Sequence, residues 1–244
     1  MQQSAKLIAH TMPSKKADQP NGMNVEEFIV FCARVSNPSN QNNSETAPRL
    51  LKYLVDHAHW SPLEMASATM EIITTRDIAR QILRHRSFSF QEFSQRYGAV
   101  QSFHKGREAR WQDYANRQNS TPVDHNDDGQ AAVADEFKRR QATSLEYARE
   151  TYEWALKQGI AKEQARAILP EGLTMSRLYM SGTIRSWFHY CALRGAHGTQ
   201  IEHTEIARMC AAELCTICPT LFTDETRAMR EPIGCPTPGA CSCL

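Results

Sequence analysis

The sequence predicts an α+β fold, a single domain in which long helices enclose a small sheet. Apolar residues recur at helical spacing in several segments, while residues 66–72 alternate between apolar and small or polar side chains. No internal repeat divides the 244 residues, a length that suits one large domain or two small ones.

Residues 24–34 form the first expected helix, with Phe28, Phe31 and Cys32 on one stripe, and the polar residues 37–45 follow as loop. Leu50, Leu51, Leu54 and Val55 begin a second helix that ends before His57. Ala66, Ala68, Met70 and Ile72 occupy one face of a half-buried strand. Thr74-x-x-Asp77 fits a capping box and opens a helix through Leu83. Residues 98–130, with Gly98, Gly106, Pro122 and the run DHNDDG, read as a polar excursion within the domain. A long helix is expected over 131–158, with Val133, Phe137, Leu145, Ala148, Tyr152 and Ala155 inward and Gly159 as its stop. A short helix ends at Pro170, a second strand covers 173–180, and two helices follow near 183–194 and 200–217. The domain is taken as 1–223, and 224–244 as a Pro- and Cys-rich tail of extended chain.

Lys and Arg total 28 against 27 Asp and Glu, a formal charge of +1, which argues against a general polyanion coat or a polybasic membrane binder. The longest apolar run, Phe28–Ala33, is far short of the roughly 20 residues of a membrane span. The start MQQSAKLIAHTMPSKK has no apolar secretory core, so the cytoplasm is the expected compartment and the eight cysteines are expected as thiols.

Twenty of the 28 basic residues are Arg, and five of them (Arg76, Arg80, Arg84, Arg86, Arg96) fall within 21 residues that hold no Lys. A guanidinium grips phosphate or carboxylate through two parallel bonds, so this cluster suggests an anion site. Arg76, Arg80 and Arg84 lie four apart, as on one helical face, which equally suits an Arg row paired with acids elsewhere. Neither GxGxxG nor GxxxxGK[ST] nor GxSxG is present, so any phosphate must be held by side chains and helix ends.

The run Arg84-His85-Arg86-Ser87-Phe88-Ser89-Phe90-Gln91-Glu92-Phe93-Ser94-Gln95-Arg96-Tyr97 resembles the signature of the flavin-dependent thymidylate synthases, RHR followed after seven residues by Ser. Ala33-Arg34-Val35-Ser36, His59-Trp60-Ser61-Pro62-Leu63-Glu64, Arg110-x-Gln112, Asn116-Arg117-Gln118, Ala165-Arg166-x-x-Leu169-Pro170, Arg185-Ser186 through Leu193-Arg194, and Gln200-x-Glu202 are similar to further stretches of that family. Met65 stands where the family often has His, and Thr183 where it usually has Asn.

The resemblance implies a small, mostly antiparallel sheet and the reductive methylation of dUMP to dTMP. Methylenetetrahydrofolate would donate the carbon, FAD would carry the hydride, and NADPH would reduce the FAD, in a homotetramer with shared active sites. By position, Ser36, His59, Ser61, Glu64, Arg84, His85, Arg86, Ser87, Thr183, Arg185, His189 and Leu193 would hold the cofactor. Gln81, Arg84, Glu92, Phe93, Ser94, Gln95, Arg96, Arg166 and Arg194 would hold the nucleotide. Arg194, Ser94 and His59 are the candidate catalytic residues. Arg194 would stabilise charge on the uracil N3–C4–O4 edge, and His59 would stack on a flat ring. Ser94 reads as a phosphate or ring contact, because no base is identifiable beside it.

Cys215-x-x-Cys218 and the cluster Cys235, Cys241 and Cys243 invite a zinc reading, but the second cluster lacks ligand spacing, and no metal is expected. Two other functions compete. An RNA-binding module would stack bases on Phe88, Phe90 and Phe93 but predicts a basic surplus that the total lacks. A regulatory nucleotide-binding protein would keep the fold without turnover.

Overall fold

A computed structural model describes residues 2–14, 22–196 and 198–222. A four-stranded antiparallel sheet lies at its centre, in the order β1 (Ser4–His10), β2 (Ser67–Thr75), β6 (Met175–Thr183), β3 (Ser89–Glu92). The helices are α1 (Val25–Ala33), α2 (Ala47–Asp56), α3 (Arg76–Ile82), α4 (Asp128–Lys157), α5 (Lys162–Ala165), α6 (Ile184–Gly195) and α7 (Ile201–Cys215). A hairpin of β4 (Arg110–Gln112) and β5 (Ser120–Pro122) completes the fold. None of the helices is long and apolar enough to cross a membrane, among the described residues.

The expected alternation of β2 is observed: Ala68, Met70 and Ile72 are buried. Met70 pairs with Met180 and Ile72 with Leu178, so β2 and β6 present one continuous apolar face. Trp187 and Cys191 of α6 and Ile206, Ala207, Cys210 and Leu214 of α7 cover that face and are fully buried. The Trp187 indole nitrogen donates to the carbonyl of Ala68 at 3.0 Å, which satisfies the one polar atom this ring brings into the core. Cys32, Cys191, Cys210, Cys215 and Cys218 are all free thiols, and burial pushes Cys191, Cys210 and Cys218 well above their usual range.

Several expectations require correction. The Thr74–Asp77 capping box does not form: Thr75 is the N-cap of α3, and its hydroxyl donates to Asp77 Oδ1 at 2.5 Å. The Thr74 hydroxyl instead reaches Gln3, because β1 pairs alongside β2. Strands β1 and β3 were not expected, and β6 begins two residues later than read and runs three further. Both unexpected strands lie at the sheet's edges, where one side only is paired and the alternation is weak.

Residues 98–130 are not a plain loop. They contain the β4–β5 hairpin, and their start is anchored by Tyr152, whose hydroxyl accepts the Val100 amide at 3.0 Å. Helix α4 starts three residues earlier than expected, capped by Asp127, whose carboxylate accepts from the amides of Gly129 and Gln130. Only the later part of its expected stripe is buried: Ala148, Tyr152 and Ala155 are covered, the last two packing with Ala165 and Leu169, whereas Val133 and Phe137 are exposed. The expected tail 224–244 lies outside the described residues, as do Cys235, Cys241 and Cys243.

Candidate functional site

Helix α3 ends at Ile82, so the RHR segment leaves the helix as a turn, with the amides of Arg84 and His85 bonded to the carbonyls of Gln81 and Ile82 at 3.3 and 3.0 Å. The arginine row therefore divides. Arg76 lies 3.5 Å from Glu92 Oε1 and Arg80 3.4 Å from Glu92 Oε2, and Arg80 also approaches Glu171 at 3.8 Å. The Glu92 carboxylate also accepts from the Ser176 hydroxyl at 2.8 Å. These two arginines follow the bland reading, pairing with acids. Arg84 and Arg86 are exposed and have no carboxylate partner within 4.0 Å among the described residues.

Burial, and then the charges of Arg80 and Arg166, hold the Arg76 guanidinium below its usual range against the pull of Glu92 and Glu171. Three cations thus crowd two carboxylates around the end of β3. An anion entering there meets a field already positive.

Helix α6 is the spine of the site. Its N-cap is Thr183, whose hydroxyl oxygen accepts the Ser186 amide at 3.2 Å, so this residue holds the helix end. The Ser186 hydroxyl donates to the carbonyl of Ser87 at 3.2 Å, tying α6 to the RHR turn. About two helical turns on, Arg194 Nε donates to His85 Nε2 at 2.9 Å. Accepting at Nε2 requires neutral His85 with its proton on Nδ1. Burial, then the Arg194 charge, holds this imidazole below its usual range, in agreement with that tautomer.

Arg185, His189 and Leu193 follow one another at four-residue spacing on a second α6 face. Arg185 pairs with Glu64 of the 3-10 turn Ser61–Glu64, and the His189 ring sits edge-on to Trp60 with centroids 4.5 Å apart. Leu193 on the same row is 60% exposed, a large apolar side chain facing outward beside two cationic or aromatic neighbours. Ser61, Glu64, Arg185 and His189 therefore form one neighbourhood, and His85, Ser87 and Arg194 the adjoining one.

Downstream of β3, Ser94 Oγ accepts the Arg96 amide at 3.4 Å, and Arg96 approaches Glu163 of α5 at 3.4 Å. Arg166 begins the 3-10 turn directly after α5 and has no carboxylate partner among the described residues. Phe93 lies against Gly98, so closely that a Cβ on Gly98 would stand 2.4 Å from its ring. Gln95 is 4% exposed, and its side-chain nitrogen finds no acceptor among the described residues. A buried donor without a partner is costly and suits an acceptor brought by a ligand.

Two predicted residues are not joined to this cluster. Ser36 is exposed just beyond α1. His59 is exposed too, its ring 6.0 Å from Tyr53, after the left-handed Ala58 (φ 55°) that swings the chain out of α2. The aromatic platform of the RNA reading does not exist as such. Phe88 is buried in a T-shaped contact with Trp187, centroids 4.8 Å apart. No group of three potential metal ligands occurs among the described residues.

Sequence reasoning missed the ion pairs behind the site. Arg107 reaches Asp77 at 2.9 Å and Glu202 at 3.1 Å, and Arg110 also pairs with Glu202. The quoted motifs Arg110-x-Gln112 and Gln200-x-Glu202 were the available signal, but nothing in either indicated that they meet. Buried His203 was not singled out at all.

Arg84, Arg86, Arg166 and Arg194, which face no carboxylate among the described residues, the orphan Gln95 donor and the exposed Leu193 fit a ligand that is both anionic and flat. The donor set fits a flavin dinucleotide beside a nucleotide monophosphate.

Known proteins offer an independent comparison. Residues 21–220 match the family model described as thymidylate synthase complementing protein. The chain is 50% identical over 208 residues to the probable flavin-dependent thymidylate synthase of Paramecium bursaria Chlorella virus 1, spanning 85% of this chain and 91% of that one. It is 50% identical over 182 residues to the flavin-dependent thymidylate synthase of Synechocystis sp., spanning 75% and 80%. A solved structure of the UMP/dUMP methylase PolB from Streptomyces cacaoi, bound with 5-Br UMP, superposes with a TM-score of 0.73 over 93% of this chain and 95% of that one. At 24% identity, that likeness shows the fold.

Proposed function

The chain belongs to the thymidylate synthase complementing protein family, the flavin-dependent thymidylate synthases, and on that premise we propose its finer chemistry. It converts dUMP to dTMP, with methylenetetrahydrofolate as carbon donor and FAD, reduced by NADPH, as hydride carrier. Residues 1–223 act as one catalytic unit, with 224–244 appended.

Arg84, His85, Arg86, Ser87, Thr183, Arg185, His189 and Leu193 hold the flavin, joined by Ser61 and Glu64. When bound, the flavin supplies the hydride chemistry that no side chain can perform. Gln81, Glu92, Phe93, Ser94, Gln95, Arg96, Arg166 and Arg194 hold the nucleotide. Arg166 and Arg84 suit its phosphate, each free of carboxylates among the described residues. Among the described residues Arg194 bonds only to neutral His85, so its remaining donors are open to the uracil edge on which charge grows, a placement that lowers the barrier. Glu92 acts mainly by holding Arg76 and Arg80 in place.

Ser36 and His59 are exposed and have no hydrogen bond or ion pair to the RHR turn among the described residues, which supports a site completed by other subunits of a homotetramer. The single observation that carries the reading is the joining of the RHR turn to α6 through Arg194 and His85. Purified protein is expected to be yellow and to oxidise NADPH only when dUMP and methylenetetrahydrofolate are present. Arg194→Ala is expected to lower that rate at least about 100-fold while keeping the flavin. Colourless protein that FAD cannot reconstitute would sink the reading.

A further inference from the structure

Behind Gln81 runs a chain of hydrogen bonds whose direction can be read from one end. Glu202 anchors it: the carboxylate is 8% exposed and is gripped by Arg107 at 3.1 Å and by Arg110. Burial pushes its pKa up, but the two guanidinium groups outweigh burial, and the carboxyl sits below its usual range. A carboxylate only accepts. The Gln200 side chain must therefore present its NH2 to Glu202 Oε2, at 3.0 Å. That leaves the Gln200 oxygen facing Gln81, which must present its own NH2, at 2.7 Å. The Gln81 oxygen is then left facing His203 Nδ1 at 3.2 Å, so that nitrogen must carry the proton. His203 Nε2 is in turn bare and accepts the Tyr190 hydroxyl at 3.2 Å.

Every amide in this chain has one permitted orientation, and the imidazole one permitted tautomer. His203 is 0% exposed and Tyr190 1%, so water cannot substitute for either partner. Burial, then the Arg194 charge and the adjoining His85 imidazole, holds His203 neutral with a pKa of about 3. Reversing any one amide would set NH2 against NH2 or oxygen against oxygen, which costs far more than a neutral hydrogen bond contributes. The far end adjoins the site, for the Tyr190 ring stands edge-on to His85 at 5.0 Å.

We propose that His203 is a positioning residue for the nucleotide: with Tyr190 behind it and Gln200 and Glu202 beyond, it sets the orientation in which Gln81 presents its remaining donor and acceptor to the uracil ring. This rests on the reading of Gln81 as a nucleotide contact. It gives the arm at 98–122 a role, since Arg107 and Arg110 set the charge from which the order propagates.

Two measurements test it on the flavin-loaded protein. Nitrogen-15 NMR of ring-labelled histidine, with His203 assigned by its loss in His203→Asn, is expected to show Nδ1 protonated and Nε2 bare from pH 5 to 8. An Nε2-protonated or mixed ring would overturn the proposal. Second, His203→Leu is expected to weaken dUMP binding about tenfold. His203→Asn, whose amide nitrogen can replace Nδ1–H, should recover to within about threefold of the parent. In a Gln81→Ala background His203→Leu should change dUMP affinity less than about twofold, because the effect runs through Gln81. Independent, additive losses would mark His203 as merely structural and overturn it. Should His203→Leu fail to fold, Glu202→Gln, which frees the anchor to donate or accept, is expected to weaken dUMP binding in the same Gln81-dependent way. If Gln81→Ala binds dUMP normally while still making dTMP, the Gln81 reading and this proposal fall together, and the enzyme assignment stands.

Discussion

Arg194 and His203 each constrain a protonation state, and both choices have consequences in solution. His85 accepts from Arg194 and His203 accepts from Tyr190, so both rings are neutral in the fold. His203 has a folded pKa of about 3 against a usual 6.5. On acidification the unfolded chain takes up the proton first, so stability is present above pH 6.5 and falls as pH drops toward 3. Between pH 7.5 and 5.5 this one group removes about 1.4 kcal/mol. Urea unfolding at the two pH values should show that loss in the parent, and about 1.4 kcal/mol less of it in His203→Asn, which cannot titrate. Equal pH dependence in the two would contradict a neutral buried imidazole. Among the arginines the same scale separates roles: Arg76 and Arg80 hold Glu92, whereas Arg84, Arg86 and Arg166 have no acid to hold among the described residues.

At the scale of elements, strand β6 and helix α6 meet at a point with no spare room. Gly182 lies on β6 where a Cβ would stand 2.4 Å from the Phe88 ring, and that ring is backed by Trp187 and Tyr190. Phe88 is itself part of the segment that leads from the RHR turn into β3. Gly182→Ala is therefore expected to destabilise the fold by about 1–3 kcal/mol through overpacking and to disturb the turn. Thermal unfolding reads the first effect and FAD retention the second. Unchanged values would show that Phe88 can move. Helix α4 makes a contrary point: its helical period was legible, but its inner face was not. Val133 and Phe137 share the stripe of Ala148 and Tyr152, yet the earlier turns of the helix lie clear of the cluster that buries the later ones.

At the scale of the whole molecule, α4 exposes Val133, Phe137, Tyr147 and Trp154, each more than 40% accessible, along a helix of 30 residues. Large apolar side chains exposed together on one helix are where association between copies is expected. Light scattering on the eluting protein is expected to give four times 27.7 kDa, and Phe137→Glu with Trp154→Glu to give a smaller species with little activity. A fully active monomer would exclude a shared site.

Much of this was legible in the residues themselves. The period of β2 and of the helices, the RHR-to-Tyr97 run and the Arg excess are properties of short stretches, set by local spacing and side-chain chemistry. The edge strands β1 and β3 were not legible, because an edge strand owes its existence to a partner far along the chain. Nor was the capping of α3, where Thr75 is the N-cap and the Thr74 hydroxyl goes to Gln3, just ahead of β1. Sequence alone thus determined the family and the α+β class, and it named the residues proposed to bear the chemistry. Tertiary structure alone decided which of them meet: Glu64 with Arg185, Arg107 and Arg110 with Glu202, and Gln81 with Gln200 and His203. Each of those pairs stands 92 or more residues apart, and only the path of the folded chain brings their donors to their acceptors.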